Sequence, residues 1–366
     1  MANNNDWAIV VGITSYFDPD LAGLHGAEND AQEFYDWVIA SDGGAVPEGQ
    51  RILILSKTFD PPFAHRDFAM PTVLAVKEAF DHLLAVAGEN ETKGLGRVVG
   101  RRLYLFLAGH GFAPNHRIDQ TALLTAEASI ADAQLTHILG PYMADHFRRA
   151  RFFEEILLFM DCCRELMECA QLYEPYEIET ASGFDKVRRL YAYGARVAKD
   201  SREWQMADGV VHGVFTRTLV EALKSTGYDP SDPSKITAES LKNQLYNGFK
   251  TFTSPADLRR PDPPEPEVVY ESKPGANFTI VSRASLFQRI TGTTPVPKFS
   301  VTIKVASPIP AGKATIRDKD LKIVSEEPLA PTITIPLERG FYSVEVGGDG
   351  RRVPFEVTGE GTVVDV

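Results

Sequence analysis

A thiol and an imidazole each stand where an apolar run stops. Leu103-Tyr104-Leu105-Phe106-Leu107-Ala108 ends at Gly109-His110-Gly111, and Ile156-Leu157-Leu158-Phe159-Met160 ends at Asp161-Cys162-Cys163-Arg164-Glu165. Those residue types suit hydrolysis of a peptide bond. Its amine is a poor leaving group and its tetrahedral oxyanion is costly, and a cysteine enzyme divides that barrier into smaller ones. A thiolate attacks, backbone N–H groups hold the oxyanion, and an imidazole protonates the departing amine. His110 and Cys163 have the residue types for the base and the nucleophile. The N–H groups of Gly111 and of Cys163 itself are candidate oxyanion donors, and the glycines flanking His110 allow close backbone approach. Cys162 is either a cleft or a core residue, because neighbouring residues at a strand's end cannot both face one cleft. Cys169 reads as a small buried hydrophobe.

Elements of a particular kind must carry these side chains. A short apolar run that halts at polar residues reads as a buried parallel strand, and open α/β folds keep their chemistry at the carboxyl ends of such strands. Two further strands are predicted at Trp7 to Ile13 and Arg51 to Leu55, with helices from Gly26 (apolar at Ala31, Phe34, Trp37 and Val38) and from Pro71 (apolar at Val73, Val76, Phe80, Leu83 and Leu84). Residues Ser129 to Arg149 read as mostly helical with a break at Gly140-Pro141, and Arg189 to Gly194 as a fifth strand. Helices are predicted over Gly213 to Leu223 and Ile236 to Phe249. The proline-rich stretch from Pro255 to Pro266 reads as loop, and Val268 to Tyr270 and Phe278 to Val281 as short edge strands. Strands alternating with helices predict an α/β domain with a mostly parallel sheet and helices on both faces.

The pattern changes near residue 290. Thr291 to Pro297 reads as a linker, and from there Phe299 to Val305, Ala314 to Ile316, Ile333 to Ile335 and Phe341 to Val346 alternate with a period of two, the mark of strands with one wet face. Gly347-Gly348-Asp349-Gly350 reads as a hairpin turn. The expected organisation is a catalytic domain over 1–290, a linker over 291–297 and a small all-β, sandwich-like domain over 298–366.

Composition narrows the function classes. The chain has 366 residues and a net charge of −12 without long Lys or Arg runs, so no nucleic-acid partner is expected. Its longest apolar runs are too short to span a membrane. Three cysteines, two of them adjacent, argue against a disulfide framework, and the lack of CxxC pairs argues against zinc. No signal-peptide pattern is seen at the start, and a cytoplasmic location is expected.

The pairing of His110 and Cys163 resembles the caspase-like cysteine peptidases, most closely their metacaspase and orthocaspase branch, over roughly residues 7 to 283. In caspases the histidine precedes the cysteine by about fifty residues, as here. The matching motifs are Leu24-His25-Gly26-Ala27-Glu28-Asn29-Asp30-Ala31, Ala108-Gly109-His110-Gly111 and Asp161-Cys162-Cys163, followed by Tyr193-Gly194-Ala195-Arg196 and Gly213-Val214-Phe215-Thr216. The resemblance implies a caspase-like fold in which Cys163 attacks and Cys162 takes the place of the family's serine. It further implies that Asp30 and Asp161 line the pocket for the residue before the scissile bond, which would be Arg or Lys. Buried carboxylates are costly alone and favourable against a guanidinium. Each acid also has a plain structural reading, Asp30 as a first-turn helix acid and Asp161 as a cap.

The resemblance is incomplete at three points. Arg164-Glu165-Leu166 stands where the family usually has His-Ser-Gly. The acidic cluster that binds calcium in some metacaspases is reduced to Asp119 between Phe112 and Leu123, so no metal or other cofactor is expected. Trp204, within Ala198 to Gln205, corresponds only loosely to a substrate-cleft loop. The expected partners are proteins or peptides with a basic residue at the cut, with an upstream activator or partner held through the β domain. Zymogen processing has candidate sites at Arg148 to Arg151, Lys186 to Arg189 and Arg259-Arg260. The competing readings are a caspase-fold scaffold without catalysis and a same-clan protease with another preference.

Overall fold

The computed structural model describes residues 5–21, 23–169, 171–177, 180–270, 277–282, 298–307, 312–318, 322–338, 340–347, 352–357 and 362–366. Their contacts divide the chain into two units, Met1–Ile290 and Thr291–Val366. The linker read over Thr291 to Pro297 lies outside the described residues, as do positions 348–350 of the hairpin signal.

In the first unit the apolar runs become strands β1 (Asp6–Gly12), β2 (Arg51–Leu55) and β3 (Gly100–Ala108), separated by helices α1 (Ala27–Ile39) and α2 (Val73–Thr92). Three short strands follow, β4 (Gly111–Pro114), β5 (Ala122–Leu124) and β6 (His137–Leu139), then helix α3 (Gly140–Arg149), β7 (Phe153–Asp161), β8 (Leu166–Met167) and β9 (Arg188–Tyr193). A small hairpin, β10 (Glu203–Gln205) with β11 (Val211–Gly213), leads into α4 (Val214–Glu221). The unit closes with β12 (Lys235–Thr237), α5 (Ala238–Phe252), α6 (Pro255–Leu258), β13 (Glu267–Tyr270) and β14 (Thr279–Ser282).

The main sheet has the order β13-β9-β7-β3-β1-β2 and is parallel apart from β13, which runs against β9. Alternation along the buried strands builds a core on each face. Ile9, Val11, Leu103, Leu105, Ile156 and Leu158 pack toward α2 and α3, while Val10, Tyr104, Phe106, Leu157 and Phe159 pack toward α1, α4 and α5. The expected α/β sheet with helices on both faces is therefore observed. Each such side chain, once fully buried, contributes about 1.5–3 kcal/mol. Register places Gly12, Ala108 and Asp161 side by side, so β1, β3 and β7 end together at one edge.

The opposite end of the sheet is held by charge. Arg102 is fully buried and ion-paired with Glu155, and it donates to the Tyr104 hydroxyl at 2.8 Å and to the carbonyls of Thr279 and Ile280 at 2.6 and 2.8 Å. One guanidinium fork thereby fastens β14 across the start of β3, because five N–H donors buried without acceptors would be strongly destabilising.

Several elements differ from the sequence reading. Residues 129–139 are not helical: Ser129 and Gln134 form a tight β-bridge and His137–Leu139 is a strand paired with β5. The helix begins only at Gly140, with Pro141 in its first turn, where a proline is tolerated. Pro255–Leu258, read as loop, forms a short helix capped by Ser254. The strand Thr279–Ser282 pairs with β12 and not with the main sheet.

The described residues of the second unit form seven strands, β15 (Lys298–Lys304), β16 (Lys313–Asp318), β17 (Ile323–Pro328), β18 (Thr332–Glu338), β19 (Gly340–Val346), β20 (Arg352–Val357) and β21 (Thr362–Asp365). They form sheets ordered β18-β15-β21 and β17-β16-β19-β20, which share a core containing Val301, Ile303, Ile316, Ile335 and Val344. This is the expected small all-β unit. Among the described residues, no helix is long and apolar enough to cross a membrane.

Candidate active site

The common edge of β1, β3 and β7 opens into a cleft of about 80 Å³ whose lining includes His110, Cys163, Asp30, Asp161, Ser201 and Glu203. His110 arrives through Gly109, whose φ of 152° favours glycine, and a Cβ there would lie 2.7 Å from the Tyr16 hydroxyl. That hydroxyl accepts the His110 backbone N–H at 2.8 Å, and its ring packs against the imidazole with centroids 5.1 Å apart. On the ring, Nε2 lies 2.8 Å from the Leu21 carbonyl. A carbonyl only accepts, so in the neutral ring Nε2 carries the proton and Nδ1 is the free base. Burial holds the His110 pKa below its ordinary value, which keeps the ring neutral at pH 7.

The alternation of β7 sorts the residues at its end. Met160 and Cys162 belong to the core on the α2 and α3 face, so the Cys162 thiol is a buried core group, with its pKa raised by burial. Asp161 turns to the other face, toward α1 and α4. Cys163 is half-buried beyond the strand, its Sγ making a long contact of 3.9 Å with the Ser201 carbonyl, one that only the protonated thiol can donate. Burial, with Glu165, Asp200 and Asp161 adding negative charge, pushes the Cys163 thiol up to about 11. These shifts favour a neutral thiol and a neutral imidazole on the two residues that line the cleft. Alkylation of Cys163 by iodoacetamide, followed by peptide mapping, is expected to be slow at pH 7 and to rise about tenfold per pH unit toward pH 11. A rate plateau near pH 7 would show a resting ion pair instead.

Gly111, the candidate oxyanion donor, is oriented by the register of β4. The Leu124 N–H donates to the His110 carbonyl at 2.8 Å while the His110 N–H goes to Tyr16, and Gly111, opposite Leu123, occupies the alternate, unbonded position that follows. Its N–H therefore points away from β5, on the side where the Ala113 N–H meets the Glu165 carbonyl at 2.9 Å. That side carries the chain around Cys163.

The acids sit at helix starts. Helix α4 has Gly213 at its N-cap and no capping side chain of its own. Asp30 accepts the Gly213 N–H at 2.9 Å and lies 2.9 Å from His212 Nδ1, while Asp161 accepts the Thr216 N–H at 3.0 Å and the Thr216 and Ser201 hydroxyls at 2.6 and 2.7 Å. Gly213 must remain glycine here, since a Cβ would overlap an Asp161 oxygen and lie 2.9 Å from one of Asp30. Burial pushes Asp30 up to about 7, opposed by the His212 and Gly213 donors and reinforced by the charge of Asp161. Burial raises Asp161 as well, against its hydroxyl and N–H donors. Glu203 fills the same role at α1, accepting the N–H groups of His25 and Gly26 at 2.9 and 2.8 Å.

Arg164 departs from the cleft altogether. It is buried, donates to Glu267 Oε2 at 2.8 Å and lies 4.2 Å over the Tyr193 ring, while its backbone exchanges hydrogen bonds with Lys199 and Ala198 at 2.8 Å. The chain after Cys163 is thereby pinned to the loop that carries Ser201. Trp204 is not brought into the cleft: its Nε1 donates to the Phe252 carbonyl at 2.7 Å, and it is its strand neighbour Glu203 that faces inward. Of the basic clusters, Arg259-Arg260 is exposed, Arg148 is buried within α3, and Arg188 and Arg189 belong to β9. The sequence reading missed Ser201, Glu203, His212 and Thr216 as site residues. An N-terminus such as Gly213-Val214-Phe215-Thr216, which lacks a Ser, Thr, Asp or Asn cap, signals that an acceptor must come from elsewhere.

No family model matches the chain. It is similar to a probable protease from a Desulfuromonadales bacterium, 27% identical over 227 residues, which is 61% of this chain and 26% of that protein. The chain spans about a quarter of the length of that relative. It is also similar to the crystal structure of caspase-1 from Spodoptera frugiperda, with a TM-score of 0.43 and 12% identity over 74% of this chain and 87% of that one. For the structure of pro-sf-caspase-1 the values are 0.40 and 12%, over 74% and 92%. Neither likeness is close enough to add to what the strand order itself shows.

Proposed function

We propose that the chain is a caspase-type cysteine endopeptidase that hydrolyses peptide bonds after Arg or Lys. The carrying observation is one cleft lined by His110 and Cys163 together with the carboxylates of Asp30, Asp161 and Glu203. A basic side chain enters among the acids, which brings the following carbonyl to Cys163. Nδ1 of His110 takes the thiol proton as sulfur attacks, and the N–H groups of Gly111 and Cys163 receive the oxyanion. The imidazolium then gives that proton to the departing amine, leaving a thioester that water hydrolyses with His110 again as base. The protease named among the similar proteins supports the reaction class. A thiol nucleophile of this kind fits a reducing compartment, the cytoplasm in our reading, and the β unit is a candidate platform for an activator or substrate partner.

The test is a panel of fluorogenic peptides differing only in the residue before the cut. Arg and Lys peptides are expected to turn over at least tenfold faster than the Asp peptide, because an aspartate would meet like charge in the cleft. Faster cleavage of the Asp peptide would overturn the specificity, and labelling of a residue other than Cys163 by a peptidyl-Arg electrophile would overturn the nucleophile.

A further inference from the structure

Counting acceptors around the cleft separates one basic side chain from the other. An ionised carboxylate offers about four lone-pair positions. Asp161 commits Oδ2 to the N–H and hydroxyl of Thr216 and one position of Oδ1 to Ser201. Asp30 Oδ1 faces both His212 and the Gly213 N–H, and Oδ2 also receives the Gly213 N–H. Each aspartate, in its ionised form, is thus left with a single open position. Glu203 differs, because its two oxygens are each held by one N–H, from the consecutive residues His25 and Gly26. Both oxygens are fixed in place and both keep an open position.

We propose that Glu203 is a specificity-determining residue that makes this cleft take arginine in preference to lysine. The inference rests on the protease reading and deepens it. An ammonium group directs three N–H bonds from one nitrogen and is served by acceptors gathered around a point. A guanidinium spreads five N–H bonds over a planar fork, and a carboxylate with both oxygens available is its bidentate partner. In this cleft the acceptors are spread over α1, the end of β7 and β10, and the pair on Glu203 has the form a fork requires. Lysine could satisfy Asp30 and Asp161 and would leave Glu203 unmet. Arginine reaches all three.

The experiment compares two fluorogenic peptides, identical except for Arg or Lys before the cut, with the full chain, Glu203→Gln and Glu203→Asp. The unaltered chain is expected to favour Arg by about tenfold or more in kcat/KM, and Glu203→Gln to lower the Arg value by about thirtyfold and the Lys value by less than about threefold. Glu203→Asp keeps the charge while drawing the carboxylate back by one methylene, and is expected to lose most of the preference for Arg while still binding basic residues. Thermal melting confirms that each variant is folded, and retention of the preference in either folded variant overturns the assignment. Equal loss on both peptides would mark Glu203 as a helix cap alone and overturns it, as would equal cleavage of the two by the unaltered chain, in each case leaving the protease reading intact. A chain that cleaves neither peptide overturns both.

Discussion

Cys163→Ala is expected to lower turnover of an Arg-containing fluorogenic peptide by about 10⁴-fold or more, and His110→Ala to do nearly the same. The two losses are not expected to add. Burial raises the thiol pKa, so in this reading sulfur needs a base before it can attack, and without the sulfur the imidazole has no nucleophile to activate. Residues that act as one unit lose their effect together, and the double variant should resemble either single one. Steady-state kinetics on the three variants decides the point. Undiminished turnover by Cys163→Ala would remove Cys163 as the nucleophile, and additive losses would mean that His110 and Cys163 act in separate steps. Cys162→Ser serves as the contrast: its thiol lies in the core, so it is expected to change stability far more than chemistry.

The positions of His110 and Cys163 were legible in the sequence for a physical reason. Strands buried on both faces are continuous apolar runs, and the first polar residue after such a run marks the edge where the sheet meets solvent. β3 and β7 both obey that rule, and their parallel register sets Ala108 beside Asp161. The region between them was not legible. β5 and β6 are three residues each, too short for periodicity to distinguish them from a helix, and Pro141 reads equally as a break and as a helix start. Asp30 and Asp161 were reached through family resemblance, and their geometry adds what the sequence lacked: no helix follows Asp161 directly, and both acids instead accept N–H groups at the start of the distant α4. Ser201, Glu203 and His212 carry no local signal, because their partners lie far along the chain and are found only after α1 and α4 have packed on the same face. His212 meets Asp30 across 182 positions. Arg164 shows the converse. It breaks the expected motif after the nucleophile, and the structure gives it a packed, ion-paired place beside Tyr193 and Glu267.

Asp161→Asn is expected to reduce kcat/KM for Arg peptides by about 10²- to 10³-fold, corresponding to the roughly 2–5 kcal/mol lost when one partner of a buried charge pair is removed. The substitution has two consequences that need separating. Asn keeps one carbonyl oxygen, so it can retain the Ser201 hydroxyl or the Thr216 donors but not both sets, and its amide cannot accept the N–H that Asp161 now receives from α4. Some loss of stability follows, on the order of 1–2 kcal/mol, the usual cost of losing a helix cap. The second consequence concerns the substrate alone: the cleft loses one of the charges that offset desolvation of a guanidinium. Iodoacetamide distinguishes the two, since it is uncharged, small and needs only the Cys163 thiol. If Asp161 acts on the basic side chain, alkylation of Cys163 at a fixed pH stays within about threefold of the unaltered chain while cleavage of the Arg peptide collapses. If alkylation and cleavage fall together, Asp161 is a scaffold for the nucleophile's strand and the acidic pocket must be assigned to Asp30 and Glu203. Asp161→Glu sharpens the outcome, because it restores the charge while displacing both oxygens by one methylene relative to the Ser201 and Thr216 donors. A charged variant that still fails on Arg peptides would therefore place the requirement on the position of the oxygens as well as on their charge.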